Sequence, residues 1–477
     1  MSFPCGCRCH LPRPFTAHPF SHSASITTRR RQCPRRTCML TLGPEWLTII
    51  LFGSLVLLLL LGLPLVFAIG GVATLFIILL WGPHALPILA NRTYMAMDMF
   101  LLVAVPMFIF MGAMLQRCGI AEDMYDLMYH WMGGLRGGLA AGTVLICTMF
   151  AAMVGISGAA TTSMGLIALP SMLKRGYKKD IAIGCISAGG SLGILIPPSV
   201  LMIILALTSR LSVGQMFIAG VLPGLLLSSL FVAYILIRCY IQKDLGPSVP
   251  PDDRLPSRER IKLLGALLLP IGLIFAVMGS MFFGVATPSE ASAIGALGAI
   301  VSAMIKRTFT WRNFTSALFI TLRLSAMVIW IVFAASVFTA LYAVTGAASI
   351  IGGAIKGVGD PWMVIITMQL ILFVLGMFFD PTGIVLLTAP IFFPLVVSLG
   401  FDPLWFAILF VINMEMAYLT PPFGFNLFYM KAVVPPGITM MDIYKSSMPF
   451  VLLMILGLIL CMIFPGIITW LPSLMRT

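Results

Sequence analysis

The chain is predicted to be an all-α polytopic membrane protein with an inverted-topology repeat, each half holding about five spans, one of them broken, plus a re-entrant helical hairpin. Composition is the first ground: 60% of its 477 residues are hydrophobic, only 9% are charged, and mean hydropathy is +1.07, a profile outside the soluble range. The second is a pair of Pro-Pro interruptions in long apolar runs, Pro197-Pro198 and Pro421-Pro422. A proline inside a helix removes one hydrogen bond and frees a carbonyl, at a cost of about 3 kcal/mol. In lipid such breaks persist only where protein, water or ions satisfy them, which points to transport. The third is register, since the two breaks lie about 224 positions apart and other landmarks keep that offset. Pro170 meets Pro394, Gly176 meets Gly400, and Tyr177 meets Phe401, while Gly71-Val72-Ala73-Thr74 recurs as Gly284-Val285-Ala286-Thr287 at a slightly different spacing.

The first segment, residues 1–38, is unlike the rest. It holds Arg8, Arg13, Arg29, Arg30, Arg31, Arg35 and Arg36, no acidic residue and no apolar run. Cys5, Cys7, Cys9, His10, Cys33 and Cys38 fit no ordinary zinc spacing, so no transition-metal site is expected. The segment lacks the continuous apolar stretch of a cleaved export signal. It reads as a disordered tail or as sequence upstream of a start at Met39, and the charge rule favours Met39, because the topology below places this region outside. Two membrane repeats follow, 39–242 and 263–477. The cytoplasmic linker between them, 243–262, carries Gly246, Pro247, Pro250, Pro251 and Pro256 among several charges, as a solvated connection requires.

Sidedness comes from charge. Lys174-Arg175-Gly176-Tyr177-Lys178-Lys179 is strongly basic, whereas its register mate from Val397 to Pro403 has no basic residue. The positive-inside rule places the first loop in the cytoplasm and leaves the second free to lie outside, so the halves are expected to face opposite ways. Net charge of +13 then reads as topology and not as affinity for nucleic acid. Expected spans before the first hairpin are Leu47–Gly70, Phe76–Asn91 and Asp98–Gln116. The hairpin arms are Gly137–Val154 and Ala159–Leu173, with the tip at Gly155-Ile156-Ser157-Gly158. A broken span over Ile181–Thr208 and a return over Val213–Ile237 close the half.

In the second half the predicted spans are Leu263–Phe283, Ser289–Ile305 and Leu324–Tyr342. Hairpin arms over Trp362–Phe379 and Gly383–Val397 follow, tipped by Phe379-Asp380-Pro381-Thr382-Gly383. Leu404–Tyr418 then enters, breaks at Thr420-Pro421-Pro422, and emerges near Lys431. A last span over Met448–Leu471 leaves the C-terminus outside.

Short helices that end at the midplane aim free carbonyls or N–H groups into one space. Carbonyls with Ser, Thr or Asn oxygens replace a sodium ion's water, and helix N-termini suit a carboxylate. A first sodium site is expected where Ser157 and Gly158 face Ser191, Gly193 and Pro197. A second is expected where Asp380, Thr382 and Gly383 meet Thr420, Pro421 and Asn426. Each residue also has a plain structural role open to it: Ser157, Ser191 and Thr420 as caps or partners of nearby carbonyls, and Asp380 as an N-cap. Glu290, after Thr287-Pro288-Ser289, reads as a helix N-terminal charge near the outer interface. Glu415, one turn before the second break, is open between a structural hydrogen bond and direct ligation.

Four stretches together resemble the large membrane subunit, the M or DctM-type subunit, of tripartite ATP-independent periplasmic (TRAP) transporters. They are Gly189 through Ser199, Ala286-Thr287-Pro288-Ser289-Glu290-Ala291, Asn413-Met414-Glu415-Met416 with Thr420 through Leu427, and Gly155 through Ala159. The likeness runs from about Met39 to the end. The resemblance implies a secondary transporter of the bacterial inner membrane that imports a small organic anion with sodium ions and uses no other cofactor. It implies two partners, a soluble periplasmic binding protein and a small four-helix membrane subunit, which this chain is too short to include as a fusion. It also implies elevator motion of hairpins and broken helices against a scaffold. A related ion-coupled anion transporter without a binding protein is the alternative. An intramembrane serine protease is the enzyme alternative, because Gly155-Ile156-Ser157-Gly158 has the Gly-x-Ser-Gly form. That chemistry needs a base beside the serine, and His84 and His130 are expected in loops on opposite sides, so no enzyme activity is predicted.

Overall fold

The computed structural model describes residues 43–248, 256–357 and 359–475, and every described element is helical or a turn. The readings made for residues 1–38 lie outside the described residues. Among the described residues, six helices are long and apolar enough to cross a membrane, or seven when a pair bent by 66°, Pro83–Met97 with Phe100–Leu115, is taken as one span.

The scaffold comes first in each half. Helices α1 (Pro44–Leu60) and α2 (Leu65–Trp81) are separate, where one span over Leu47–Gly70 was predicted. Gly62 at φ +84° and the following Pro64 force the turn between them. α2 stops at Gly82-Pro83, so the predicted span over Phe76–Asn91 is also divided. α3 (Pro87–Met97) and α4 (Ala104–Leu115) form the bent pair, and α5 (Ile120–Met132) is an amphipathic helix where the sequence predicts a loop. In the second half α11 (Ser257–Leu263), α12 (Leu268–Ile274), a π-helical stretch and α13 (Ser280–Phe282) compose one span, Glu259–Phe282.

α14 (Pro288–Ile305) starts at a capping box: Glu290 N donates to Thr287 Oγ1 and Thr287 N donates to Glu290 Oε2. Glu290 therefore has the helix-terminal role expected of it. α15 (Trp311–Thr345) has 35 residues, about 52 Å of helix. It begins well before the predicted Leu324, because Thr310 caps it through Asn313 N at 3.1 Å. α15 packs on α2, α3 and α4 and, on the site-bearing side, on α18 of the second hairpin. α16 (Ala347–Lys356) is a short helix not anticipated from the sequence.

The site-bearing elements recur in the same order. α6 (Gly138–Val154) and α7 (Ser157–Lys174) form the first hairpin, followed by α8 (Lys179–Ser191), a break, α9 (Val200–Ser209) and α10 (Val213–Ile241). α17 (Pro361–Gly376) and α18 (Pro381–Ser398) form the second, followed by α19 (Pro403–Tyr418), a break, α20 (Phe425–Val433) and α21 (Met440–Ile463). α21 starts before the predicted Met448 because Thr439 and Asp442 form a capping box, and it ends at Ile463, where Pro465 divides it from α22 (Gly466–Ser473). The linker is anchored near its start, with Gly137 N donating to Gly246 O at 2.9 Å and Lys178 N to Leu245 O at 3.1 Å.

Candidate functional site: two helix breaks between two hairpin tips

α8 ends at Ser191 after about 20 Å of helix, too little to cross a bilayer core of about 30 Å. A 3-10 turn over Leu192–Ile194 leads into Pro197-Pro198, and Ser199 Oγ donates to Ile194 O at 2.7 Å, closing the break on itself. The first hairpin tip presses on this break. Gly155 is left-handed at φ +66°, and a Cβ there would strike the Pro198 carbonyl, so no other residue fits. A Cβ on Gly193 would lie 3.1 Å from Ser157 N. The tip thus meets the break at Ser157 and Gly193, and Ser157, Gly158, Ser191, Gly193 and Pro197 are all buried.

The second half is built differently. Asp380 accepts from Thr382 N at 2.9 Å and caps α18, the structural role left open for it. Thr420 Oγ1 donates to Met416 O at 2.8 Å, within its own helix. Tip and break meet through the Phe378 and Phe423 rings, 6.3 Å apart, and Pro422 and Phe423 are exposed. Gly383 faces Leu65 of α2. Among the described residues no hydrogen bond joins Asp380, Thr382 or Gly383 to Thr420 or Pro421.

Asn426 differs most from its expected place. The sequence groups it with the second site, yet its Oδ1 accepts from Ser157 Oγ at 3.1 Å and Thr161 Oγ1 at 2.6 Å, and its Nδ2 donates to Ser187 O at 2.6 Å. The cause is the direction α20 takes after Gly424. It lies along α7, where Gly158 and Gly165 admit the Tyr429 ring and Val433. A residue of the second half thereby completes the first half's site.

Glu415 also crosses between halves, accepting at Oε1 from Ser191 Oγ at 3.1 Å. The two residues are register mates. Asn413, on another face of α19, donates to Gln369 O at 2.7 Å and Gln369 Oε1 at 2.8 Å. Thr161, one turn after Ser157, was not picked out from the sequence; its i+4 spacing on α7 was the available signal. Arg92 and Arg210 were also missed. They line a cavity of about 840 Å³ with Ser336 and Thr339 of α15 and Pro390 and Pro394 of α18. The signal was an arginine beyond α9, on the side the charge rule leaves poor in cations.

Ser157 has Asn426, not a base, as its side-chain partner. His84 sits in the turn after α2, and His130 lies in the last turn of α5, not in a loop, against Tyr129 at 4.8 Å between ring centroids.

Two helical hairpins, each followed by an apolar helix that stops at a Pro-Pro break, in a chain with six apolar helices long enough to cross a membrane, have the build of a polytopic secondary transporter. The structure of MtrF from Neisseria gonorrhoeae, described as one of a class of antimetabolite efflux pumps, superposes with a TM-score of 0.60 over 90% of this chain and 95% of that one, at 14% identity, a likeness of fold alone. In sequence, the C4-dicarboxylate TRAP transporter large permease protein DctM of Pseudomonas aeruginosa is 32% identical over 84% of this chain and 93% of its own length. The DctM of Rhodobacter capsulatus is 32% identical over 90% and 99%. Residues 52–467 match the DctM component of the tripartite ATP-independent periplasmic transporters, and the chain belongs to that family of large permeases.

Proposed function

We propose that this permease imports a small organic anion, a carboxylate, together with sodium ions across the bacterial inner membrane. A soluble periplasmic binding protein supplies the anion, and a small four-helix membrane subunit stands beside the permease. The observation that carries the reading is the junction at Asn426, where a hairpin tip, a broken helix and the second half's α20 place side-chain and carbonyl oxygens together in a buried space. Oxygens so arranged suit a sodium ion. Ser157, Gly158, Ser191, Gly193 and Pro197 form the first ion site, now with Asn426 and Thr161. Asp380, Thr382, Gly383, Thr420 and Pro421 form the second, nearer the exposed break. Asp380 supplies the negative charge a cation needs, and the anion binds beside the filled ion sites near the two tips.

The halves face opposite ways, and the hairpins with α8, α9, α19 and α20 move as one elevator-like body against the wall of α2, α4, α14 and α15. Arg92 and Arg210 favour carboxylates in the cavity beside that wall. Both relatives named above are C4-dicarboxylate permeases by name, which makes dicarboxylates the first anions to try.

The test is uptake by proteoliposomes holding the permease, its small subunit and its binding protein. An inward sodium gradient should drive accumulation above equilibrium, and uptake unchanged when that gradient is collapsed would refute sodium coupling. Omitting the binding protein should abolish uptake. If a neutral sugar shifts the binding protein's melting temperature most, the carboxylate assignment fails.

A further inference from the structure

Glu415 is fully buried, and its two oxygens are treated differently. Oε1 has Ser191 Oγ at 3.1 Å, while Oε2 has no partner and no access to solvent. Ser191 has one hydroxyl proton and also lies 2.8 Å from Ala188 O, so the carboxylate has at most a shared neutral donor. Among the described residues no cation reaches it. On the packed elements, Lys179 is paired with Asp442, Lys431 donates to Ile438 O and Arg238 to Tyr234, and none of these contacts involves Glu415. α8 and α19 both end within a turn of the pair, so the negative C-terminal ends of both helices point their dipoles at it. Ser187 Oγ, one turn earlier on the same stripe of α8, is buried and unpartnered as well.

We propose that Glu415 ligates a transported sodium ion between the ends of α8 and α19, in a site built by both halves with Ser191 and Ser187. The countercharge a buried carboxylate requires is then the cargo ion itself. The register explains the pairing: the same position supplies a hydroxyl in one half and a charge in the other, and the two meet. This assignment rests on the sodium-coupled reading above and adds a charged ligand to it.

The experiment compares wild type with Glu415→Gln in the reconstituted three-part system and, separately, as purified permease titrated with sodium chloride against potassium chloride in a thermal-shift assay. Glu415→Gln keeps the shape and removes the charge. The sodium concentration for half-maximal uptake should rise about tenfold or more, the weight of a lost charged ligand. The sodium-specific rise in melting temperature should shrink in parallel. Unchanged sodium dependence in both assays overturns the proposal. So does a variant that loses only the pH dependence of uptake, because the carboxylate then carries a proton. If Glu415→Gln does not fold, Ser191→Ala decides by the same two readouts, with a smaller rise expected and no change overturning the site. Wild-type uptake indifferent to sodium would sink the coupling reading, and thermal shifts of wild type and variant would still judge the site.

Discussion

In the first half the hairpin tip is sealed against its own break, with Gly155 on the Pro198 carbonyl and Gly193 beside Ser157. In the second half the tip and break touch through two phenylalanine rings, and the break is exposed. The helix starts differ in the same way. α17, α18 and α19 each open on Asp-Pro, with Asp360, Asp380 and Asp402 accepting from the N–H two residues on, at 3.0, 2.9 and 2.8 Å. In the first half α6, α7 and α8 begin with no side-chain cap. One plan is thus stabilised by close backbone packing in one copy and by local capping in the other. The asymmetry matters because α20 of the looser half reaches over and closes the tighter half's site through Asn426.

The largest expected effect is at that crossing. Asn426→Ala leaves Ser157, Thr161 and the Ser187 carbonyl without their shared partner, and several buried hydrogen bonds at about 1 kcal/mol each are lost at once. Sodium-driven uptake in proteoliposomes should fall more than tenfold, on the order of the loss of two such bonds. Near-normal uptake would mean the halves work without this bridge.

Next in size is Gly155→Ala, which forces a Cβ into the Pro198 carbonyl at a positive φ. Overpacking and strain should lower stability by about 1–3 kcal/mol, seen as a lower melting temperature of the purified permease, and should reduce uptake. A third comparison separates capping from ion binding within one half. Asp380→Ala and Asp402→Ala each remove an N-cap worth about 1 kcal/mol, so both should melt lower by similar amounts. Only Asp380→Ala should lose sodium-driven uptake, and equal uptake by the two would leave Asp380 with a cap's role alone. The smallest effect is expected at Lys179, whose exposed pair with Asp442 is screened by solvent. Lys179→Ala should leave uptake and melting temperature unchanged.

Much of this was readable in the sequence for physical reasons. Paired prolines in apolar runs cannot be hidden in lipid, so the two breaks and the hairpins before them stood out, and Thr287-Pro288-Ser289-Glu290 spelled a helix start. The breaks at Gly62-Pro64 and Gly82-Pro83 were legible by the same rule, yet unbroken hydropathy on either side masked them. α5 was missed because its mixed composition suits a loop as well as an amphipathic helix. The site was legible only within each half. Register aligns a residue with its mate but does not say which elements touch, so Asn426 was assigned to its own half, and the meeting of Ser191 with Glu415 was invisible. Those contacts follow from the direction α20 takes and from the meeting of the ends of α8 and α19 at Ser191 and Glu415, which are facts of packing.

On the function proposed above, two oppositely facing copies of one plan build a single transport centre. Register mates test it directly: Lys174→Cys and Ser398→Cys, both at exposed positions, in a chain whose cysteines in residues 1–38 are replaced by serine. The cysteines at 118, 147, 185, 239 and 461 are buried and should stay silent. A membrane-impermeant maleimide applied to intact cells should label Ser398→Cys and spare Lys174→Cys until the membrane is opened. Labelling of both from the same side would mean that the two halves face the same way.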